Sequence, residues 1–268
     1  MVEVEMSRTI WMIITLVFCL SIVSAAGAGD LDLTIVYDNN PFDETLETRW
    51  GFSCLVEGPQ KTIIFDLGGE GSVLLRNSER LKIDPKAIDL VVLSHIHGDH
   101  IGGLATFLQK NPDVTVYLPR SFPIMVKEGV LRAGARLVEV QGPIEMCKDV
   151  YSTGEMGDWL KEESLIVKTS KGAVVVTGCA HPGIVNIVKK TKGMVNTEIF
   201  LALGGFHLGG MSSQRIEEIV NEMKREGVKK VAPCHCSGDL ARKLFREAYG
   251  ENFIPVGVGK RIKIREAF

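Results

Sequence analysis

The chain has 268 residues, of which 45% are hydrophobic and 24% charged, and its formal net charge is -2. That length supports one large domain or two small ones, with ample chain for an apolar core. Mixed charge so close to neutral excludes a nucleic-acid scaffold built on basic patches, and no nucleic-acid partner is expected.

The chain opens on Met1 to Arg8, with Glu3 and Glu5 set against a single Arg8, and continues into an uncharged stretch, TIWMIITLVFCLSIVSAAGA, at residues 9–28. An apolar body ending in Ala26-Gly27-Ala28 resembles a secretory signal or a short membrane anchor, although the basic flank is poor. Residues 1–29 are therefore expected to export the protein or to hold it at a membrane through residues 9–28; without such a leader it is cytoplasmic. A buried N-terminal strand, or a start at Met6 or Met12, is the alternative. Residues 30–268 are expected to form the folded domain. Cys19 falls in the leader, and Cys54, Cys147, Cys179, Cys234 and Cys236 are an odd, scattered set that makes no disulfide framework.

Apolar, β-branched runs predict strands at Leu33 to Tyr37, Phe52 to Glu57, Thr62 to Leu67, Leu90 to Leu93, Val114 to Leu118 and Leu137 to Val140. Further strands are expected at Leu165 to Thr169, Ala173 to Thr177, Ile199 to Leu203, Lys230 to Ala232 and Phe253 to Gly257. Helices are expected at Ser72 to Arg80, Ile101 to Lys110, Phe122 to Val130, Pro182 to Lys190, Ser213 to Arg225 and Asp239 to Tyr249. The clearest is Ser213 to Arg225, with a serine cap, apolar residues three and four apart, and Gly227 as its stop. Periodicity gives an α/β mixture without an internal linker.

The segment Leu93-Ser-His95-Ile-His97-Gly-Asp99-His100-Ile-Gly-Gly-Leu104 places three imidazoles and a carboxylate within six positions, in a chain with only six histidines. In an extended chain leaving a strand, His95 and His97 project to one side, while Asp99 and His100, at the turn into a helix, face a second point. One segment is therefore expected to be able to serve two divalent metals. Imidazole and carboxylate together suit zinc, with iron or manganese as alternatives.

His95-Ile-His97-Gly-Asp99-His100 resembles the HxHxDH motif of the metallo-β-lactamase superfamily, and Thr62-Ile-Ile-Phe-Asp66-Leu-Gly68 resembles the strand-end aspartate that precedes it. The resemblance spans about Leu33 to Lys260. It implies a four-layer αββα sandwich and two metals, one held by His95, His97 and His181, the other by Asp99, His100 and His235. Asp66 would orient a ligand imidazole without touching metal. Cys179 stands where most of the superfamily places a bridging aspartate; a thiolate ligand and a buried cysteine are both open. His181, in Gly178-Cys-Ala-His-Pro-Gly183, lies before a helix expected to begin at Pro182, whose free N–H groups would favour a phosphate.

In Leu203-Gly-Gly-Phe-His207-Leu-Gly-Gly210, His207 is expected as a substrate contact or proton donor, and Gly205, like Gly183, as backbone that approaches substrate closely. Asp99 is expected to position a nucleophile as well as to ligate. GCAHPG, GGFHLGG and PCHCSG, with Tyr37-Asp38-Asn39 and Trp50-Gly-Phe-Ser53, narrow the resemblance to the dihydropterin ribofuranosylaminobenzene phosphate synthase subgroup, a transferase of methanopterin-type cofactor synthesis. That resemblance implies a pterin-like, phosphate-bearing small-molecule substrate. An exported hydrolase of phosphoesters or lactones, and a metal-dependent binding or sensing protein without turnover, are the competing expectations.

Overall fold

The computed structural model describes residues 30–58 and 60–265. The leader expected at residues 1–29 lies outside them. Among the described residues, no helix is long and apolar enough to cross a membrane.

In chain order the first half runs β1 (Leu31–Tyr37), β2 (Ser53–Glu57), β3 (Thr62–Phe65), α1 (Gly71–Arg80), β4 (Leu90–Val92), α2 (Gly98–Ile101), α3 (Leu104–Leu108), β5 (Thr115–Pro119), α4 (Ile124–Arg132) and β6 (Arg136–Val140). The second half runs β7 (Ile144–Cys147), β8 (Val150–Ser152), β9 (Leu165–Thr169), β10 (Gly172–Thr177), α5 (Ile184–Val195), β11 (Ile199–Gly205), α6 (Ser213–Arg225), β12 (Lys230–Cys234), α7 (Asp239–Tyr249) and β13 (Arg261–Ile264). They form a seven-stranded sheet ordered β13-β1-β2-β3-β4-β5-β6 and a six-stranded sheet ordered β12-β11-β10-β9-β8-β7.

The pleat explains the layers. In β10, Val174 and Val176 face Leu33, Ile35 and Phe65 of the opposite sheet, while Ala173 and Val175 face α5 and α6 through Ile187, Val188 and Ile219. The far face of the larger sheet is covered in the same way by Val73, Leu74, Leu104 and Phe107 of α1 and α3. Strands buried on both faces read as continuous apolar runs, and two such sheets back to back with helices outside make the expected αββα sandwich. The run β3-β4-β5-β6 is parallel, as is β10-β11-β12. The carboxyl ends of β3, β4, β10, β11 and β12 therefore open toward a common site.

Three elements differ from expectation. Phe253 to Gly257 is not a strand: it makes one bridge from Phe253 to Val231, and Pro255 then removes the donor that would extend it. The last strand is instead β13, antiparallel to β1. The β7–β8 hairpin carries little apolar alternation because β7 is a half-exposed edge. The helix expected over Ile101 to Lys110 is split into α2 and α3 at Gly102-Gly103.

That split has a steric cause. The backbone of the metal motif is stitched to the loops beside it, Leu67 N–H donating to His100 O at 2.7 Å and Phe52 N–H to Asp99 O at 3.2 Å. A Cβ at Gly102 would lie 2.1 Å from Gly69 O, and one at Gly103 would lie 2.2 Å from Leu67 O. Gly102 has ordinary helical angles, φ -60° and ψ -27°, so alanine there is opposed by contact alone. Gly102→Ala should lower stability by about 1–3 kcal/mol, the usual range for overpacking, in urea unfolding.

Candidate metal centre

Four residues beside the site adopt left-handed backbone without being glycine: Asp66 (φ 58°), Ala180 (φ 59°), His207 (φ 52°) and His235 (φ 48°). Each follows the end of a strand, respectively β3, β10, β11 and β12. Such conformations cost on the order of 1–3 kcal/mol and persist where the surrounding structure forces them. Here they make abrupt turns that bring side chains from both sheets to one place.

Five imidazoles, a carboxylate and two thiols meet there. His95 Nε2 lies 3.1 Å from His97 Nδ1, and the His181 ring is 4.7 Å from that of His95 and 5.0 Å from that of His97. Beside them, His100 Nε2 lies 3.2 Å from His235 Nε2, and Asp99 Oδ2 lies 3.3 Å from His235 Nε2 and 3.7 Å from His100 Nε2. Cys179 Sγ is 3.2 Å from His100 Nε2 and belongs to both groups: ligand atoms of His95, Cys179 and His181 fall within 4.8 Å of one another, as do those of His100, Cys179 and His235. Cys179, His207 and Cys236 make a third such group.

The outward nitrogens decide what the inward ones are. His100 Nδ1 donates to Asp66 Oδ2 at 2.7 Å. Asp66 also accepts from Ser94 N–H and from Ser94 Oγ, both at 2.7 Å. With its proton given to Asp66, the Ser94 hydroxyl accepts from His95 Nδ1 at 2.8 Å. His235 Nδ1 donates to Asn39 Oδ1 at 2.9 Å, and His181 Nδ1 donates to Glu162 Oε2 at 2.8 Å. Each of these rings therefore turns an Nε2 lone pair inward.

Burial, reinforced by the neighbouring imidazoles, pushes His95 and His100 down to about 3, so both are neutral at physiological pH. Lone pairs of neutral imidazoles, a carboxylate and a sulfur converging at 3–4 Å repel one another unless a cation lies among them. The residues present thus fit divalent metal ions, with the outward hydrogen bonds fixing tautomer and orientation. Cys236 is held down to about 5 by the hydrogen bond from Cys179 and by His207, and Cys179 is correspondingly raised. A cation beside Cys179 would invert that order, because a coordinating thiol is deprotonated.

Glu162 is the residue that sequence reading left without a role. It is fully buried, and its carboxylate accepts from Cys179 N–H at 2.9 Å, from Ala180 N–H and His181 N–H at 2.8 Å each, and from His181 Nδ1. Burial alone would raise its pKa, but these bonds and the nearby imidazoles hold it at about 2. Consequently the N–H groups after β10 serve an internal carboxylate. The helix expected at Pro182 begins instead at Ile184, after Gly183 at φ 90°. Ser94, next to His95, and Asn39, within the segment Tyr37-Asp38-Asn39, also had no role in the sequence reading, since neither residue type by itself marks a histidine's partner.

The remaining expected residues divide. Gly183 and His207 line a cavity of about 190 Å³ beside His181, together with Asn186 and Arg215; His207 is exposed, its ring 4.4 Å from that of His181. Gly205 lies beneath this surface: a Cβ there would meet Gly178 O at 2.3 Å and Cys236 Sγ at 2.6 Å, so it admits Cys236 to the centre. Asp66 lies where a carboxylate orienting an imidazole was expected. The five cysteines among the described residues are all free.

Two outcomes follow from the buried carboxylates. Glu162→Gln keeps every ligand but loses the anionic acceptor behind His181, so zinc affinity measured against a competing chelator should fall by about 10- to 100-fold. Glu163, also fully buried, is raised from 4.5 to about 8 by burial. A raised pKa means that the unfolded chain releases this proton first, so its contribution to stability is complete below pH 4.5 and is lost as pH rises through 8. Thermal melts of Glu163→Gln should gain on those of the parent chain steadily between those limits and match them in trend below.

The sequence model of the metallo-beta-lactamase superfamily matches residues 51–189. The 7,8-dihydropterin-6-methyl-4-(beta-D-ribofuranosyl)-aminobenzene-5'-phosphate synthase of Methanocaldococcus jannaschii is 29% identical over 86% of this chain and 95% of its own length. An uncharacterized protein of the same archaeon is 30% identical over 87% of this chain and 100% of its own. The crystal structure of Tm1679, a metal-dependent hydrolase of the beta-lactamase superfamily, aligns with a TM-score of 0.76 at 26% identity, covering 88% of this chain and 100% of that one. With the sandwich, the strand-end histidines and their buried acceptors in place, the chain belongs to the metallo-β-lactamase superfamily.

Proposed function

We propose that the chain is a binuclear metal enzyme acting on a small molecule that bears a phosphate or diphosphate, in the manner of its synthase relative. The observation that carries this reading is the pair of histidine clusters meeting at Cys179. His95, His97 and His181 would hold one ion and Asp99, His100 and His235 the other, with Cys179 between them as thiolate. Nitrogen, oxygen and sulfur donors together suit zinc better than the harder manganese.

When bound, two such ions supply Lewis-acid stabilisation of negative charge building on a phosphate or diphosphate. The chain's residues do the rest. Glu162 and Asp66 keep the imidazoles rigid, so the site need not reorganise as charge moves. Asp99 presents a carboxylate at the half-exposed mouth of the second cluster. His207 is exposed with its ring 4.4 Å from that of His181, which places it as a proton donor beside that cluster. In a synthase, an aromatic amine or ring carbon bonds to a pterin methylene as the carbon–oxygen bond to diphosphate breaks; His207 is placed to protonate the departing oxygen, and the proton then lost from the amine or ring carbon restores the balance.

The test is diphosphate release by the zinc-loaded full chain from a dihydropterin-methyl diphosphate, with and without the ribosylaminobenzene phosphate acceptor. Acceptor-dependent release is expected, together with two zinc ions per chain by elemental analysis and one in His181→Ala. His97→Ala should lower turnover by more than about 100-fold, beyond the effect of losing an outer partner. Release without acceptor would make the chain a hydrolase, the reading favoured by its likeness to Tm1679. Bound zinc with no release would leave the binding protein.

A further inference from the structure

Two large aromatic side chains stand uncovered beside the metal centre, one at each cluster. Trp50 is 60% exposed, its ring 4.9 Å from that of His235; Trp159 is 84% exposed, its ring 6.3 Å from that of His181. An indole left in water forfeits much of the burial energy it can supply, and two flanking one polar centre mark a place where something flat is meant to lie.

Neither indole hangs on a loose loop. Trp50 is carried against the metal motif by Gly51 (φ +139°), where a Cβ would meet Asp99 O at 2.4 Å, and by the bond from Phe52 N–H to Asp99 O. Trp159 tips a tight turn closed by the mutual backbone bonds of Met156 and Glu162 and by Lys161 Nζ donating to Gly157 O at 2.5 Å. The base of that turn is Glu162, whose carboxylate holds His181. Both rings are therefore fixed in register with metal ligands.

We propose that Trp50 and Trp159 are stacking platforms for the two flat rings of a bisubstrate pair, a bicyclic heterocycle and a substituted aminobenzene, and so set the specificity of the centre. This rests on the diphosphate-transfer reading above and names what that site selects. Stacking recognises the π-face, which a nucleobase shares. A polynucleotide would also need a basic track for its backbone, and the chain's net charge is -2. The rings therefore come from small molecules.

The zinc-loaded full chain is titrated calorimetrically with 6-hydroxymethylpterin, with 4-aminobenzoate, with a decauridylate and with inorganic diphosphate, alongside Trp50→Ala, Trp159→Ala and the two Phe variants. Each alanine variant should weaken at least one ring compound by roughly 5- to 100-fold, the range for loss of a stacking aromatic. The Phe variants should retain most of that binding, and diphosphate affinity and zinc content should not change. Ring compounds bound equally by parent and alanine variants, no ring binding by the parent, or tighter binding of the decauridylate would each overturn the proposal. Its failure is separable from that of the diphosphate-transfer reading: acceptor-dependent release with unchanged KM in both alanine variants sinks the stacking alone. Tryptophan-dependent ring binding without any release supports the stacking and sinks the transfer.

Discussion

Asp66 and Glu162 are the two buried carboxyl groups around which the centre is arranged. Each is fully enclosed, each would be costly in isolation, and each is satisfied by donors belonging to the groups it positions. Asp66 collects His100, the Ser94 amide and the Ser94 hydroxyl; Glu162 collects three consecutive amides and His181. The result is a set of rings whose inner nitrogens face one another at 3.1–3.2 Å, a donor set that suits a cation. The carboxylates thus do more than neutralise charge. They tie the segments after β3, β4 and β10 into one donor set.

The same arrangement explains why the backbone is contorted where it is. Side chains leaving β3, β10, β11 and β12 would diverge along the edges of the two sheets if the strands continued straight. A single left-handed residue after each strand turns the chain sharply enough for them to converge. Gly51, Gly102, Gly103 and Gly205 admit the close approaches that this convergence requires, each having backbone within 2.5 Å of where a Cβ would lie. That convergence is held by the apolar layers packed between the two sheets and beneath the helices on either side.

Cys179 gives the centre a character of its own. Sulfur at the junction of the two clusters is softer and larger than a carboxylate oxygen, and Cys236 and His207 extend the sulfur-rich side away from it. The hydrogen bond with Cys236 raises the His207 pKa against the lowering effect of desolvation.

The sequence by itself determined the class of fold and most of the donor set. Continuous apolar runs are what doubly buried strands require, and three histidines with an aspartate in six positions after such a run admit few readings but metal. It did not determine the edges: β7 and β13 are four-residue edge strands with exposed positions, β8 is a buried strand of three residues too short to show a period, and Pro255 broke a run that composition favoured. Nor did it determine the partners of the ligands. Glu162 lies 19 residues from His181, and Asn39 lies 196 from His235. Glu162 and His181 meet once β9 and β10 pair within one sheet, whereas Asn39 and His235 meet only once the two sheets have packed face to face. Ligand identity is a property of chemistry written along the chain; ligand orientation is a property of distance in space, and only the tertiary structure supplies it.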